Sequence, residues 1–340
     1  MALTAYQAKA IPCSIKLDAN ESPYGFPEAA AAAASVATHR YPDPEANGVR
    51  RILAKTLGVA EDQLLQGNGS DELISCLIMT FGGPVLFPVP SFSMYGIIAQ
   101  SLGERPVPVP LDAHFDLDLA AMLAALRKRK PKLTFLSSPN NPTGNCFSAE
   151  RILKILDESR GIVVVDEAYQ PFSSEKGFLP LLADYPNLVI LRTLSKIGLA
   201  ALRFGYLIAS PEIAAEVNKV RLPFNVNSFS QAVAEQALTK RAALRTAVSA
   251  IVSERNRVFS RLLRIDGVEP FPSEANFILF RVKDARQVHS GLLSHGVLIR
   301  DISDAVPGCL RVTVGTQKEN DSFLKALEKT LGQAGERGKR

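Results

Sequence analysis

The chain has 340 residues, of which 46% are hydrophobic and 21% charged, and a net charge of +5. That length and balance exclude a disordered chain or a small disulfide scaffold and fit one large domain, or two, each with its own core. No apolar run approaches the roughly 18 residues of a membrane span, and the first residues lack the basic segment and apolar run of a signal peptide, so the expected location is the cytoplasm.

In chain order, residues 1–28 read as an irregular N-terminal arm, broken by Pro23, Gly25 and Pro27. A helix is expected over 28–38 and another near 45–57, separated by the extended turn Tyr41-Pro42-Asp43-Pro44. Ser70, followed by Asp71 and Glu72, is a good N-cap for a helix over the apolar run from Leu73 to Phe81. Gly82-Gly83-Pro84 stops that helix. From 84 to about 210 strands and helices alternate. Residues 85–87, 105–109, 133–137, 162–166, 188–192 and 204–208 read as strands. Ser148 caps a helix carrying Ile152, Leu153, Ile155 and Leu156.

The basic run Arg127-Lys128-Arg129-Lys130 closes a helical pattern before Pro131, where cations suit the helix end; it reads as a solvated terminus rather than a nucleic-acid patch. The alternation argues for an α/β fold, a mostly parallel sheet between helices. A helical stretch over 230–264, continuous or interrupted and about 50 Å long at 1.5 Å per residue, suits a bridge between domains. Strands over 275–282, 297–300 and 309–314, a helix near 284–295 and a final helix suggest a smaller α+β domain. The expected division is an arm over 1–28, a large domain over 29–230, an interdomain helix over 231–265, a small C-terminal domain over 266–330 and a disordered tail over 331–340.

Three segments carry the chemistry. They are Ser138 to Gly144 (SPNNPTG), Val163 to Tyr169 (VVVDEAY) and Thr193-Leu194-Ser195-Lys196. Each follows an apolar run that reads as a buried strand, so each sets polar groups beyond a strand's carboxyl end, where open α/β sheets bind ligands. Lys196 stands where an ammonium is costly unless its charge is lowered or removed. Asp166 ends Ile162-Val163-Val164-Val165, where a carboxylate needs a cation. Asn141 can donate its amide, and Tyr169, three residues past Asp166, can donate from the same side.

An amine for an aldehyde, an acid for a pyridine nitrogen and donors for a 3-oxygen are what pyridoxal 5′-phosphate requires. Alone, Lys196 would read as a surface lysine, while for Asp166 a helix cap is the lesser reading of its segment; with Asn141 they favour the cofactor. Ser70, after Gly67-Asn68-Gly69, fits a simple N-cap and a phosphate site equally well, and Ser195 and Arg203 are candidates to complete a cradle. Gly67-Asn68-Gly69 is no dinucleotide fingerprint, because the third glycine and the leading strand are missing. Cys13, Cys76, Cys146 and Cys309 form no Cys-x-x-Cys pair and stand near no histidine at zinc spacing, so reduced thiols and no metal are expected.

With these segments in hand, the sequence resembles the fold-type I pyridoxal-phosphate aminotransferases, and within them the histidinol-phosphate aminotransferase family. The resemblance runs through Leu17 to Gly25 (LDANESPYG), Arg40-Tyr41-Pro42, Gly69-Ser70-Asp71-Glu72 and Pro90 to Tyr95 (PSFSMY). It continues to Asn225-Val226-Asn227-Ser228, Leu298 to Asp301 and Gly308 to Thr316. It implies a large cofactor-binding domain and a smaller α+β domain, with Lys196, Asp166 and Tyr169 as the catalytic group. Ser70, Asp71, Asn141, Thr193, Ser195 and Arg203 join the cofactor contacts, and Tyr95 stacks on the cofactor ring. Tyr41 reaches the phosphate in the neighbouring subunit, which implies a homodimer. Arg311 binds the carboxylate of glutamate or the phosphate of histidinol phosphate, and Arg300 assists with the distal acidic group.

The implied substrates are histidinol phosphate and the 2-oxoglutarate/glutamate pair, without nucleic acid or membrane as partners. The sequence departs from the family at Ala201, where a glycine is usual, at the seven-residue step from Lys196 to Arg203, and at Ser22, where some relatives carry tyrosine. Decarboxylation of a phosphorylated amino acid and transamination of aromatic amino acids remain alternatives. A non-catalytic cofactor-binding module is a remote one.

Overall fold

The structure, a computed structural model, describes residues 11–337. The first ten residues of the expected arm and the last three of the expected tail lie outside that range. In chain order the elements are β1 (Ile15–Leu17), α1 (Ala29–Ala34), α2 (Asn47–Leu57), β2 (Leu64–Asn68), α3 (Ser70–Phe81), β3 (Val85–Val89), α4 (Met94–Ser101), β4 (Pro106–Pro110) and α5 (Leu119–Arg129). Next come β5 (Leu133–Ser137), α6 (Ala149–Glu158), β6 (Ile162–Asp166), β7 (Leu188–Thr193), β8 (Phe204–Ile208), α7 (Pro211–Asn218), α8 (Ser228–Thr239) and α9 (Arg241–Leu262). The chain closes with β9 (Glu269–Pro270), β10 (Phe277–Arg281), α10 (Ala285–Ser294), β11 (Val297–Asp301), β12 (Cys309–Thr313) and α11 (Gln317–Arg337).

The main sheet has seven strands in the order β2-β8-β7-β6-β5-β3-β4. Only β8 runs against its neighbours; the other pairings are parallel. The strands are apolar on both faces because both are covered. Val163, Val165, Leu188 and Ile190 pack under α2, α5, α6 and α8, while Val164, Val189 and Leu191 pack under α3, α4 and α7. The period of two along a strand thus deals successive residues to two separate cores. The second sheet has the order β1-β11-β12-β10-β9 and packs against α9, α10 and α11 around Phe280, Leu310 and Phe323.

Four expectations are corrected. Residues 15–17 of the supposedly irregular arm form β1, which pairs in parallel with β11; Leu17 is buried in the second core, and that burial fixes the strand. A strand, β2, does lead into α3; its polar Gln66-Gly67-Asn68 end hid it, although β8 pairs with it along its length. The N-cap of α3 is then Gly69 rather than Ser70, because the turn needs φ of 84° there. In place of a tail disordered from 331, α11 continues through residues 331–337, with Leu331 packed on the second core. The 230–264 stretch takes its interrupted form, α8 and α9 meeting at Lys240.

Candidate active site

The carboxyl ends of β5, β6 and β7 and the N-terminus of α3 face one cavity of about 750 Å³, counting its open mouth. That is an ordinary size for a small-molecule site. Its walls bring together Ser70, Asp71, Asn141, Asp166, Tyr169, Thr193, Ser195, Lys196, Arg203 and Arg311, all singled out from the sequence.

Lys196 sits in the turn after β7, its Nζ 5.7 Å from the centroid of the Tyr169 ring. Asp166 is only 4% exposed. Its Oδ1 accepts from the Ala168 N–H at 3.1 Å and its Oδ2 from the Tyr95 hydroxyl at 2.7 Å. Burial pushes its carboxyl up to about 6, against the opposing pull of those two hydrogen bonds; Asp71 adds to the rise and Lys196 opposes it. The Tyr169 oxygen accepts from Asn20 Nδ2 at 2.9 Å, and Asn141 Oδ1 accepts from Arg311 Nη1 at 2.5 Å. The amide of Asn141 is thereby turned with its NH₂ away from the guanidinium. Arg311 Nη2 donates to the Asp18 carbonyl at 2.8 Å, tying the N-terminal segment to the site.

At the other end, Thr193 Oγ1 donates to Ser195 Oγ at 2.9 Å, Arg203 Nη1 donates to Ser195 Oγ at 3.4 Å and Arg203 Nη2 donates to Asp71 Oδ2 at 3.2 Å. Arg203 reaches the cavity across the seven-residue step, and Ala201 sits in a short 3-10 turn without a positive φ, so both departures are accommodated. A Cβ on Gly69 would stand 2.7 Å from Arg203 Nη2, so glycine keeps this corner open. A Cβ on Gly198 would stand 2.5 Å from the Tyr24 carbonyl, so glycine lets the N-terminal segment cross the lysine loop. Ser22 bonds locally to the Tyr24 backbone.

Three expected residues lie elsewhere. Arg300 lines an adjoining cavity, which shares Phe92, Asn141 and Arg311 with the first. Tyr41 is 82% exposed, stacked on Phe224 at 4.7 Å, and stands outside the cavity of its own chain. Tyr95 does not offer a stacking face: it is 0% exposed and stacked on Phe135 at 4.8 Å. The helix phase of α4 turns Tyr95 inward, and of the two aromatic residues in the Pro90–Tyr95 segment it is Phe92 that lines the cavity, Tyr95 being buried. Sequence reasoning also missed Asn20, which holds φ of 54° and is buried against Tyr169, Thr313 and Asn276. Its place inside the Leu17–Gly25 segment was the available signal.

The model of the family described as aminotransferase class I and II matches residues 13–327. The chain belongs to that family. It is a pyridoxal-phosphate-dependent transaminase of fold type I. It is 45% identical to the histidinol-phosphate aminotransferase of Aquifex aeolicus over 97% of this chain and 96% of that protein. The histidinol-phosphate aminotransferase of Sinorhizobium meliloti, solved in complex with pyridoxal-5′-phosphate, superposes with a TM-score of 0.88 at 28% identity, covering 95% of this chain and 92% of that one. The L-threonine-O-3-phosphate decarboxylase of Porphyromonas gingivalis superposes with a TM-score of 0.81 at 25% identity, covering 94% and 99%.

The residues of this transaminase fit the cofactor on its own evidence. A buried acid, Asp166, has hydrogen bonds from a phenol and an amide to its oxygens but no ion pair to a cationic side chain among the described residues. An amine stands on the same wall, and the glycine-lined helix terminus beside Arg203 leaves room for an anion.

Proposed function

We propose that the chain transfers the amino group of histidinol phosphate to 2-oxoglutarate, giving imidazole-acetol phosphate and glutamate, a step of histidine biosynthesis. The observation that carries the substrate class is the pair of arginines, Arg311 and Arg300, lining a cavity that adjoins the lysine-bearing one, with Arg311 on the walls of both. Guanidinium forks pair with phosphate and carboxylate alike, which suits a site that must take an organic phosphate and a dicarboxylic acid in turn. The near full-length similarity to the Aquifex aeolicus enzyme supports the same reading.

Bound here, pyridoxal phosphate supplies a carbonyl carbon that condenses with amines and a ring that takes up the electron pair left when Cα loses its proton. Lys196 is the amine that would hold the cofactor and, as a free amine, would take the proton from the substrate's Cα. Asp166 in its ionised form would pair with the protonated ring nitrogen. Asn141 and Tyr169 would donate to the 3-oxygen, with Asn20 and Arg311 fixing their orientation. Ser70, Ser195 and Arg203 hold the phosphate, while Thr193 orients the Ser195 hydroxyl and Asp71 steadies the guanidinium of Arg203. Phe92 walls the ring. Tyr41 serves the neighbouring subunit's phosphate in a cytoplasmic homodimer, and its exposure, stacked on the exposed Phe224, fits that role.

The test is a half-reaction with histidinol phosphate followed by absorbance, then 2-oxoglutarate. Glutamate should form in stoichiometric amount, and Lys196→Ala should abolish turnover. Carbon dioxide release in place of glutamate would favour the decarboxylase reading suggested by the Porphyromonas gingivalis likeness. A higher kcat/KM for phenylalanine than for histidinol phosphate would overturn the substrate assignment.

A further inference from the structure

A buried carboxylate must be neutralised or hydrogen-bonded, and which of the two happens decides its charge. Asp166 meets that choice with one side chain on its oxygens, the hydroxyl of Tyr95. On the transaminase reading, we infer that Tyr95 is a positioning residue that keeps Asp166 ionised and aimed, and thereby sets the protonation of the cofactor's ring nitrogen.

The geometry carries this. Tyr95 is the second residue of α4 and has no exposed surface. Its ring lies parallel to Phe135 at 4.8 Å, meets Phe92 edge-on at 5.5 Å and is tilted against Phe87 at 6.3 Å. A ring held on three sides cannot swing its hydroxyl away, so the 2.7 Å bond to Asp166 Oδ2 is built in. The Ala168 N–H takes the other oxygen, and together the two donors fix the plane of the carboxylate. A donor to a carboxylate favours the ionised form.

The other ionisable groups that bear on Asp166 are Asp71 from α3 and Lys196 from the loop after β7, which act in opposite directions. Tyr169, Arg203 and Arg311 line the same cavity. Burial and the adjacent carboxylate push the Tyr95 phenol well up, so it keeps its proton and remains a donor throughout the working range. Among the side chains, Tyr95 opposes the desolvation of Asp166 most strongly. Phe92 forms the cavity wall, so Tyr95 has no direct contact to offer the cofactor and acts through Asp166.

The test compares Tyr95→Phe with Tyr206→Phe, a buried tyrosine on the opposite face of the sheet. Three quantities are read: the pH midpoint of the Asp166 carboxyl in cofactor-free protein, by infrared or carbon-13 carboxyl signals; the pH midpoint of the bound cofactor's visible band; and the cofactor dissociation constant. Tyr95→Phe should raise the carboxyl midpoint by about one unit and weaken cofactor binding by about tenfold. It should also shift the visible-band midpoint and lower kcat with little change in KM, whereas Tyr206→Phe should move none of these.

If Tyr95→Phe fails to fold, replacing Tyr95 with 3-fluorotyrosine makes a stronger donor, and the carboxyl midpoint should fall instead. An unchanged carboxyl midpoint in either variant overturns the assignment. Wild-type protein that binds no pyridoxal phosphate overturns the transaminase reading and, with it, the step to the ring nitrogen. The cofactor-free titration still reads the Tyr95–Asp166 bond in that case, so the two failures are distinguishable.

Discussion

Asp166 and Glu167 are consecutive acids at the end of β6, both buried, and they meet opposite fates. Strand alternation continues the face of Val164 into Asp166 and the face of Val165 into Glu167. On one face, Asp166 reaches the cavity and finds a phenol and an amide. On the other, Glu167 Oε2 accepts from Arg192 Nε at 2.8 Å and Nη2 at 2.7 Å, while Oε1 accepts from the Phe178 N–H. Burial alone would lower the Arg192 guanidinium, but Glu167 beside it reverses the sign and holds it above its ordinary value. One acid is saturated by the fold, and the other is left with a demand that only a bound cation meets. The difference lies in what each face supplies rather than in the residue type, and it separates an acid of structure from an acid of function.

Breaking the saturated acid should give the largest effect. Glu167→Gln leaves Arg192 buried without its charge partner, and unfolding in urea should show a loss of about 3–5 kcal/mol. The cofactor band of the folded fraction should stay in place, because the pair faces away from the cavity; a band shift of the same size as that in Tyr95→Phe would merge the two faces. Asp166→Asn should do the reverse. It should lower kcat by about 10²–10³-fold, comparable to removing a preorganised charge at a reacting centre, while leaving cofactor-free protein as stable as wild type or more so at neutral pH.

The pH dependence sharpens this point. The Asp166 carboxyl rises on folding from 3.8 to about 6, so the folded state binds its proton more tightly than the unfolded chain. Its contribution to stability is fully present below about pH 4 and is lost as pH rises through about 6. A shift of that size is worth at most about 3 kcal/mol. Subtracting the stability of Asp166→Asn from that of wild type, both cofactor-free, should give a difference that falls between pH 4 and 6 and then levels. A difference that rose with pH would mean that the carboxylate is already compensated in the empty site.

These contrasts were only partly legible in the sequence. Runs such as Leu133–Ser137 and Ile162–Asp166 announce buried strands, and the polar residues that stop them announce a site, so Lys196, Asp166, Asn141 and Tyr169 could be named before any coordinates. Strand polarity does not show in a polar ending such as Gln66-Gly67-Asn68, which hid β2 and moved the cap of α3 by one residue. Nor does composition reveal helix phase: Phe92 and Tyr95 stand in one segment, and only the start of α4 at Met94 decides which ring meets the cavity and which meets Asp166. Asn20 was hidden for another reason. Its left-handed backbone and its four hydrogen bonds, to Tyr169, Asn276 and twice to Thr313, are long-range and leave no local pattern. The pairing of Glu167 with Arg192 was missed similarly, since neither residue stands out until β6 and β7 are aligned.

The smallest predicted effect is the control for all the others. Tyr206 lies directly across from Arg192 in the antiparallel pairing of β7 and β8, with its phenol buried beside the guanidinium. Burial pushes that phenol up, and the facing Arg192 pulls it back only in part, so it stays neutral and shares the arginine with Glu167. Tyr206→Phe removes one acceptor from the guanidinium and leaves the ion pair standing, which should cost about 1.5 kcal/mol in urea unfolding. Tyr95→Phe also removes one phenol, but this one donates, on the opposite face of the sheet and to an acid two strands from β8 with no guanidinium to fall back on. If the two faces are as separate as their cores, the first variant lowers stability without touching the cofactor spectrum, and the second moves the spectrum. Equal spectral shifts in the two variants would mean that the sheet transmits charge from Arg192 to Asp166, and that the two adjacent acids act as one system.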